Sequence, residues 1–153
     1  MLGVDDQGVL YVEADLARRP TPVMVADGVA WYRRFQPEGF AVEANQFQEL
    51  LGREFAAEFQ RQGLLAPDPW LIDNRVNKLL RIRRLGPYLS LRRLRFKAAS
   101  PSTRLLVEQL RNFPIGDHDD GPDALEMAIR LAAELLGQDQ TSDGLGDRLP
   151  VGA

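Results

Sequence analysis

The stretch FPIGDHDDGPDALEMAIRLAAELL, Phe113–Leu136, places Asp117, Asp119, Asp120 and Asp123, with the chain's only histidine, His118, in front of an apolar helix. One aspartate is enough to cap a helix. Negative charge at a helix N-terminus is favoured by about 0.3–1 kcal/mol per group, which accounts for one or two of them. Four like charges repel unless a cation sits among them. The motif is therefore a candidate divalent-metal site. Pro122 suits a first helical turn, where its missing N–H is one of the unpaired ones. Asp120 or Gly121 would then be the cap.

Working outward, the 153 residues suggest one domain with a sizeable core. Hydrophobic residues make up 44% and charged residues 27%, the balance of a soluble globular protein. No apolar run is long enough to span a bilayer, and the N-terminus lacks the layout of a signal peptide. A cytoplasmic location is the expectation. With no cysteine and one histidine, disulfides, thiolate zinc sites and polyhistidine metal sites are excluded. A metal here would have oxygen ligands, which points to Mg²⁺ or Mn²⁺.

The net charge is −3, but its distribution matters more than its sum. Nine basic residues and no acid lie between Arg75 and Lys97, in RVNKLLRIRRLGPYLSLRRLRFK. Arg75, Lys78, Arg81, Arg83, Arg84, Arg92, Arg93, Arg95 and Lys97 are candidate phosphate contacts. A basic stretch beside an acidic cluster suits an enzyme that grips phosphates with one region and metal ions with another. Two solvated faces of opposite sign would carry the same charges.

The order of elements reads as α/β with a mixed sheet. Leu2–Val4 and Val9–Glu13 flank the polar turn Asp5–Gly8 as a hairpin. Pro20 and Pro22 are expected to break regular structure. A helix is predicted through VMVADGVAWYRRF, with Val25, Val29, Tyr32 and Phe35 inward. Gly28 weakens it. FAVEA reads as a buried strand ending at Glu43. NQFQELLGREFAAEFQRQG reads as a helix with Phe47, Leu50, Leu51, Phe55 and Phe59 as its stripe and Gly63 as its stop. Trp70–Ile72 is a short strand. A basic helix ends at Gly86, and YLSLRRLRF is expected to be extended. A helix from Ser100 ends before Pro114, and the last helix runs to about Leu136. Residues 137–153 read as a flexible tail. The aromatic residues Trp31, Phe35, Phe47, Phe55, Phe59, Trp70 and Phe113 read as core. Glu43, at a strand's C-terminal end, lies where ligands bind in α/β sheets, or simply marks the strand's emergence into solvent. Asn45 just beyond it is a capping or site residue, and His118 a structural or site residue.

FAVEANQFQELL, NKLLRIRRLGPYLSLRRLRFK and LLVEQLRNFPIGDHDDGPDALEMA, in this order and spacing, resemble the C-terminal nuclease domain of tailed-phage terminase large subunits. The resemblance implies a ribonuclease H-like mixed sheet flanked by helices over residues 1–136. It implies a metal-dependent endonuclease that cuts concatemeric double-stranded DNA in a bacterial host, with three acids holding Mg²⁺ or Mn²⁺. The implied partners are the ATPase motor, the small terminase subunit and the portal. The family's second acid falls on Glu43. The third falls on Asp119 or Asp120, Asp120 being favoured, with Asp123 a further candidate. The first acid sits in the family on an opening strand, in a segment like G-x-D-P, and this chain starts at the following hairpin. The resemblance is thus to an N-terminally truncated domain lacking that strand, with weak or no cleavage expected. The competing expectation is a noncatalytic DNA-binding or packaging-assembly module. Asp5, Asp6, Asp15 and Asp73 are the acids that could fill the vacant position.

Overall fold

The computed structural model describes residues 1–43, 48–65 and 69–143. Its fold is α/β, with strands β1 (Leu2–Val4), β2 (Leu10–Val12), β3 (Ala41–Glu43), β4 (Trp70–Ile72) and β5 (Leu94–Phe96). The helices are α1 (Thr21–Phe35), α2 (Gln48–Arg61), α3 (Lys78–Arg83), α4 (Gly86–Ser90), α5 (Pro101–Asn112) and α6 (Asp120–Asp143).

The strands form two sheets. In the first, β1 pairs antiparallel with β2, and β2 pairs parallel with β5, so the sheet is mixed. In the second, β3 and β4 pair in parallel, with Glu43 opposite Ile72. The single continuous sheet expected from the sequence is split, because among the described residues β1 and β3 each have a ladder partner on one side only.

The hairpin turn is held as its residues require. Asp5 Oδ1 accepts the N–H groups of Gln7 and Val9 at 3.0 and 2.8 Å, and Gly8 takes a φ of 74°. An aspartate that closes its own turn and a glycine free to adopt positive φ are ordinary turn chemistry. The Val9 N–H above all holds the Asp5 carboxyl below its usual range. Ser100 caps α5, its hydroxyl accepting the Thr103 N–H at 3.2 Å. Asn77 caps α3 by accepting the Leu79 N–H at 2.9 Å.

Five expectations change. Pro22 lies in the first turn of α1 instead of breaking it, since proline there forfeits no helical hydrogen bond. The basic helix ends at Arg83, not Gly86, and Tyr88–Ser90, expected to be extended, belong to the helix Gly86–Ser90; Pro87 falls in its first turn, and Arg92 with a φ of 53° then turns the chain into β5. Leu50 is 61% exposed, because Leu51, Phe55 and Phe59, four residues apart, are the face of α2 that packs, and Leu50 lies beside that face. The last helix continues to Asp143, so residues 137–143 are helix and not tail. Phe47 and residues 144–153 lie outside the described residues.

The core is in two clusters. One joins the first sheet to α3, α5 and α6 through Leu10, Val12, Ile82, Leu85, Leu94, Leu106, Leu125 and Ile129. The other joins α1, α2 and β3 through Val25, Val29, Val42, Phe55 and Phe59. Tyr32 and Phe40 meet Phe59 and Phe55 edge-on, at 4.9 and 4.8 Å between ring centroids, a favoured aromatic geometry. Trp31 instead stacks on Phe35, which is partly exposed.

Candidate functional site

The aspartates at the start of α6 face α3. Lys78 Nζ lies 2.7 Å from Asp119 Oδ1 and 2.8 Å from Asp120 Oδ1. Arg81 grips Asp123, with Nη2 2.7 Å from each carboxylate oxygen. Arg84 Nη1 reaches Glu126 Oε1 at 3.3 Å. Lys78, Arg81 and Arg84 are three residues apart, as are Asp120, Asp123 and Glu126, and every pair is 42 residues apart in sequence. Residues three apart share a helix face. Two helices running in the same direction therefore meet as a three-rung ladder of opposite charge. Within the protein, Lys78 sits against Asp119 and Asp120, and Arg81 against Asp123.

The rungs differ in burial, and burial decides their weight. Arg81 and Asp123 are 3% and 5% exposed. Both gave up hydration, so each depends on the other. Phosphate-contacting Arg81 was the expectation; the structure buries it and saturates it. At the outer rung Asp120 is open to water, where an ion pair contributes about 0–1 kcal/mol. Hydrogen bonding from Lys78 holds the Asp120 carboxyl below the usual value of 3.8. Burial pulls the Lys78 ammonium down, and the two aspartates more than reverse that, so its pKa is raised.

This fixes a pH dependence. A depressed carboxyl contributes stability that is present above the unfolded value and lost as pH falls through the lower folded value. Lys78→Met is expected to lower stability by up to about 1 kcal/mol near pH 7. The difference from the unmodified chain should shrink as pH falls below the usual carboxyl value of 3.8 and through the lower folded one. Urea midpoints near neutral pH and in acid measure it, and an undiminished difference in acid would disprove the role of Asp120.

Glu43 is at the C-terminal end of β3, as expected, but its partners are not acids. Asn74 Nδ2 donates to Glu43 Oε1 at 2.9 Å and contacts the Met127 sulfur at 3.3 Å. Arg130 Nη2 donates to Asn74 Oδ1 at 2.7 Å, and lies 3.4 Å from Glu126 Oε2. Asn74, Glu126 and Arg130 thus tie the strand end to the ladder. Sequence reasoning passed over all three. The one local signal was the pairing of two i,i+3 triplets of opposite sign, Lys78-Arg81-Arg84 and Asp120-Asp123-Glu126.

Asn74, the partner of Glu43, meets α6 at Met127, seven residues beyond Asp120, and seven residues of helix span about 10 Å. The acids named as possible third ligands are engaged locally: Asp5 in its turn, Asp15 with Arg19 at 2.7 Å, and Asp73 with Arg75 at 2.8 Å. Asp6 and His118 are exposed. Among the described residues no three His, Cys, Asp or Glu side chains gather as a metal site. An ammonium between Asp119 and Asp120 and a guanidinium across Asp123 do not fit a two-metal centre. Asn45 lies outside the described residues.

Of the nine basic residues, Arg75 pairs with Asp73, Lys97 with Glu13 at 2.8 Å, and three form the ladder. Arg83, Arg92, Arg93 and Arg95 are exposed and make no ion pair among the described residues. No helix among the described residues is long and apolar enough to cross a membrane. Comparison of the chain with protein-family models, with curated proteins and with solved structures found no match.

Proposed function

We propose that this chain is a ribonuclease H-like domain of the terminase nuclease type that holds double-stranded DNA and does not cut it unaided. One observation carries the reading. The α3–α6 ladder uses Asp120, Asp123 and Glu126 internally, and among the described residues Arg83, Arg92, Arg93 and Arg95 have no acid partner. The surplus positive charge lies on one continuous segment, from the end of α3 to β5. Guanidinium groups that lack a carboxylate are available to phosphate, which binds them bidentately. Such contacts confer affinity without sequence preference. On the resemblance, Glu43 and Asp119 or Asp120 correspond to two of the family's acids, and the ion pairs of Lys78 with Asp119 and Asp120 support a reading without cleavage.

Two measurements test this. Fluorescence anisotropy with a labelled 30-base-pair duplex should give an affinity that falls steeply with salt. Replacing Arg83, Arg92, Arg93 and Arg95 by glutamine should weaken binding uniformly across sequences. The salt slope should drop by about 0.9 for each lost contact. Plasmid incubated with the chain and Mn²⁺, then Mg²⁺, should remain intact. Cleavage that disappears in an Asp119→Asn/Asp120→Asn double variant would restore the nuclease reading. Duplex affinity unchanged in the quadruple arginine variant would remove the DNA reading.

A further inference from the structure

The outer face of the first sheet carries an exposed aromatic ring beside cations that lack acid partners among the described residues. Successive side chains of a strand point to opposite faces. Leu10, Val12 and Leu94 are buried in the core, so Tyr11 and Arg95 stand on the other face, where Tyr11 is 52% exposed. The register sets Tyr11 opposite Arg95 on one side and Gly3 on the other. Gly3 has no side chain to cover the ring, and a Cβ there would meet nothing within 4 Å. The ring is held in place: its hydroxyl donates to Asp5 Oδ2 at 3.2 Å, and Asp5 is itself fixed by the Gln7 and Val9 N–H groups. Arg95 is held as well, its Nη1 donating to the Arg92 carbonyl at 2.7 Å. Arg93 leans over the hairpin turn, with Nη1 3.2 Å from where a Cβ on Gly8 would stand.

Phosphate accounts for the arginines and leaves the tyrosine unexplained. A duplex keeps its bases stacked on one another, so it offers a sheet face its phosphates alone. A single strand offers a phosphate and also an unstacked base, which packs on an aromatic ring. Neighbouring strands lie about 4.8 Å apart, so one nucleotide can rest its base on Tyr11 and its phosphate at Arg95. Asp5 and Asp6 repel phosphate at the turn, which directs the strand's backbone toward β5. We propose that this sheet face binds single-stranded DNA, with Tyr11 as the platform for one base and Arg93 and Arg95 as the phosphate contacts. The proposal rests on the DNA reading of the arginines and extends it from duplex to unpaired strands. No sequence preference is expected, because every base has a face that stacks.

Fluorescence anisotropy with three labelled ligands tests this against the purified full chain. They are an oligothymidylate, an abasic strand of equal length with the same phosphates and no bases, and the duplex. The oligothymidylate is expected to bind saturably and at least tenfold more tightly than the abasic strand. Tyr11→Ala should erase that difference, and Tyr11→Phe should keep it, since the ring and not the hydroxyl stacks. Neither should change duplex affinity, which depends on phosphate contacts. The comparison of the two strands uses the unmodified chain, so it decides the matter even where the alanine variant fails to fold. Equal binding of the two strands, or no saturable binding of oligothymidylate, would overturn the proposal. So would a difference that survives Tyr11→Ala in a folded variant. Equal strands together with duplex binding that falls when Arg83, Arg92, Arg93 and Arg95 are replaced would overturn this proposal alone and leave the DNA reading standing.

Discussion

Asp123→Ala is expected to destabilise the domain by about 3–5 kcal/mol, the cost of leaving a buried charge without its partner. Arg81 is 3% exposed and its guanidinium meets both oxygens of Asp123. Its one further described acceptor is the Val76 carbonyl, at the long distance of 3.4 Å. Once the carboxylate is gone, the guanidinium must stay charged in a dry site or pull α3 away from α6. Either course disturbs Ile82 and Leu85, the α3-side members of the first core cluster. Urea denaturation measures the loss, and the Tm should fall by roughly 10 °C. Arg81→Met/Asp123→Leu is expected to recover most of the stability, since apolar residues of similar volume often replace a buried pair without loss. A loss below about 1 kcal/mol in the single variant would mean that water reaches the pair, as at an exposed ion pair.

Phe55→Ala should cost about 3–5 kcal/mol as well, from lost apolar burial and from the cavity left behind. Phe55 is buried in the second cluster and packs edge-on against Phe40. Its ring also explains Gly28. A Cβ on Gly28 would stand 2.5 Å from Phe55 Cε1. The glycine costs α1 about 1 kcal/mol of helix propensity relative to alanine. It is retained because the ring occupies the space a methyl group would need. Gly28→Ala is therefore expected to destabilise the chain by about 1–3 kcal/mol through overpacking. In a Phe55→Ala background the same substitution should become neutral or stabilising. A double-mutant cycle followed by urea denaturation reads this coupling directly. Additive effects would mean that the ring moves aside freely.

Much of the local structure was legible. The hairpin declared itself through Asp5 and Gly8, α5 through Ser100 and Pro101, and the stop of α2 through Gly63. These signals work because a cap or a turn is satisfied by groups within four residues. The misreadings came where a local rule had two outcomes. Pro22 reads equally as a breaker or as a first-turn residue. The alternation in YLSLRRLRF suggested a strand, yet its first residues are helical and only Leu94–Phe96 pairs with β2. Leu50 and Leu51 both fit a helical stripe, and packing against α1 chose one of them.

The candidate site was legible as an inventory. The acids at 117–123, the bases at 75–97 and Glu43 at a strand end could all be named from the chain, because side-chain charge and local periodicity are properties of residues and their near neighbours. How they combine belonged to the tertiary structure. It set α3 parallel to α6, so that charges 42 residues apart met as rungs. It turned Glu43 toward Asn74. Charge attraction in water is too weak and too unselective to specify those pairings in advance. Burial of the surrounding apolar faces specified them, and only in that dry setting did Arg81 and Asp123 become indispensable to each other.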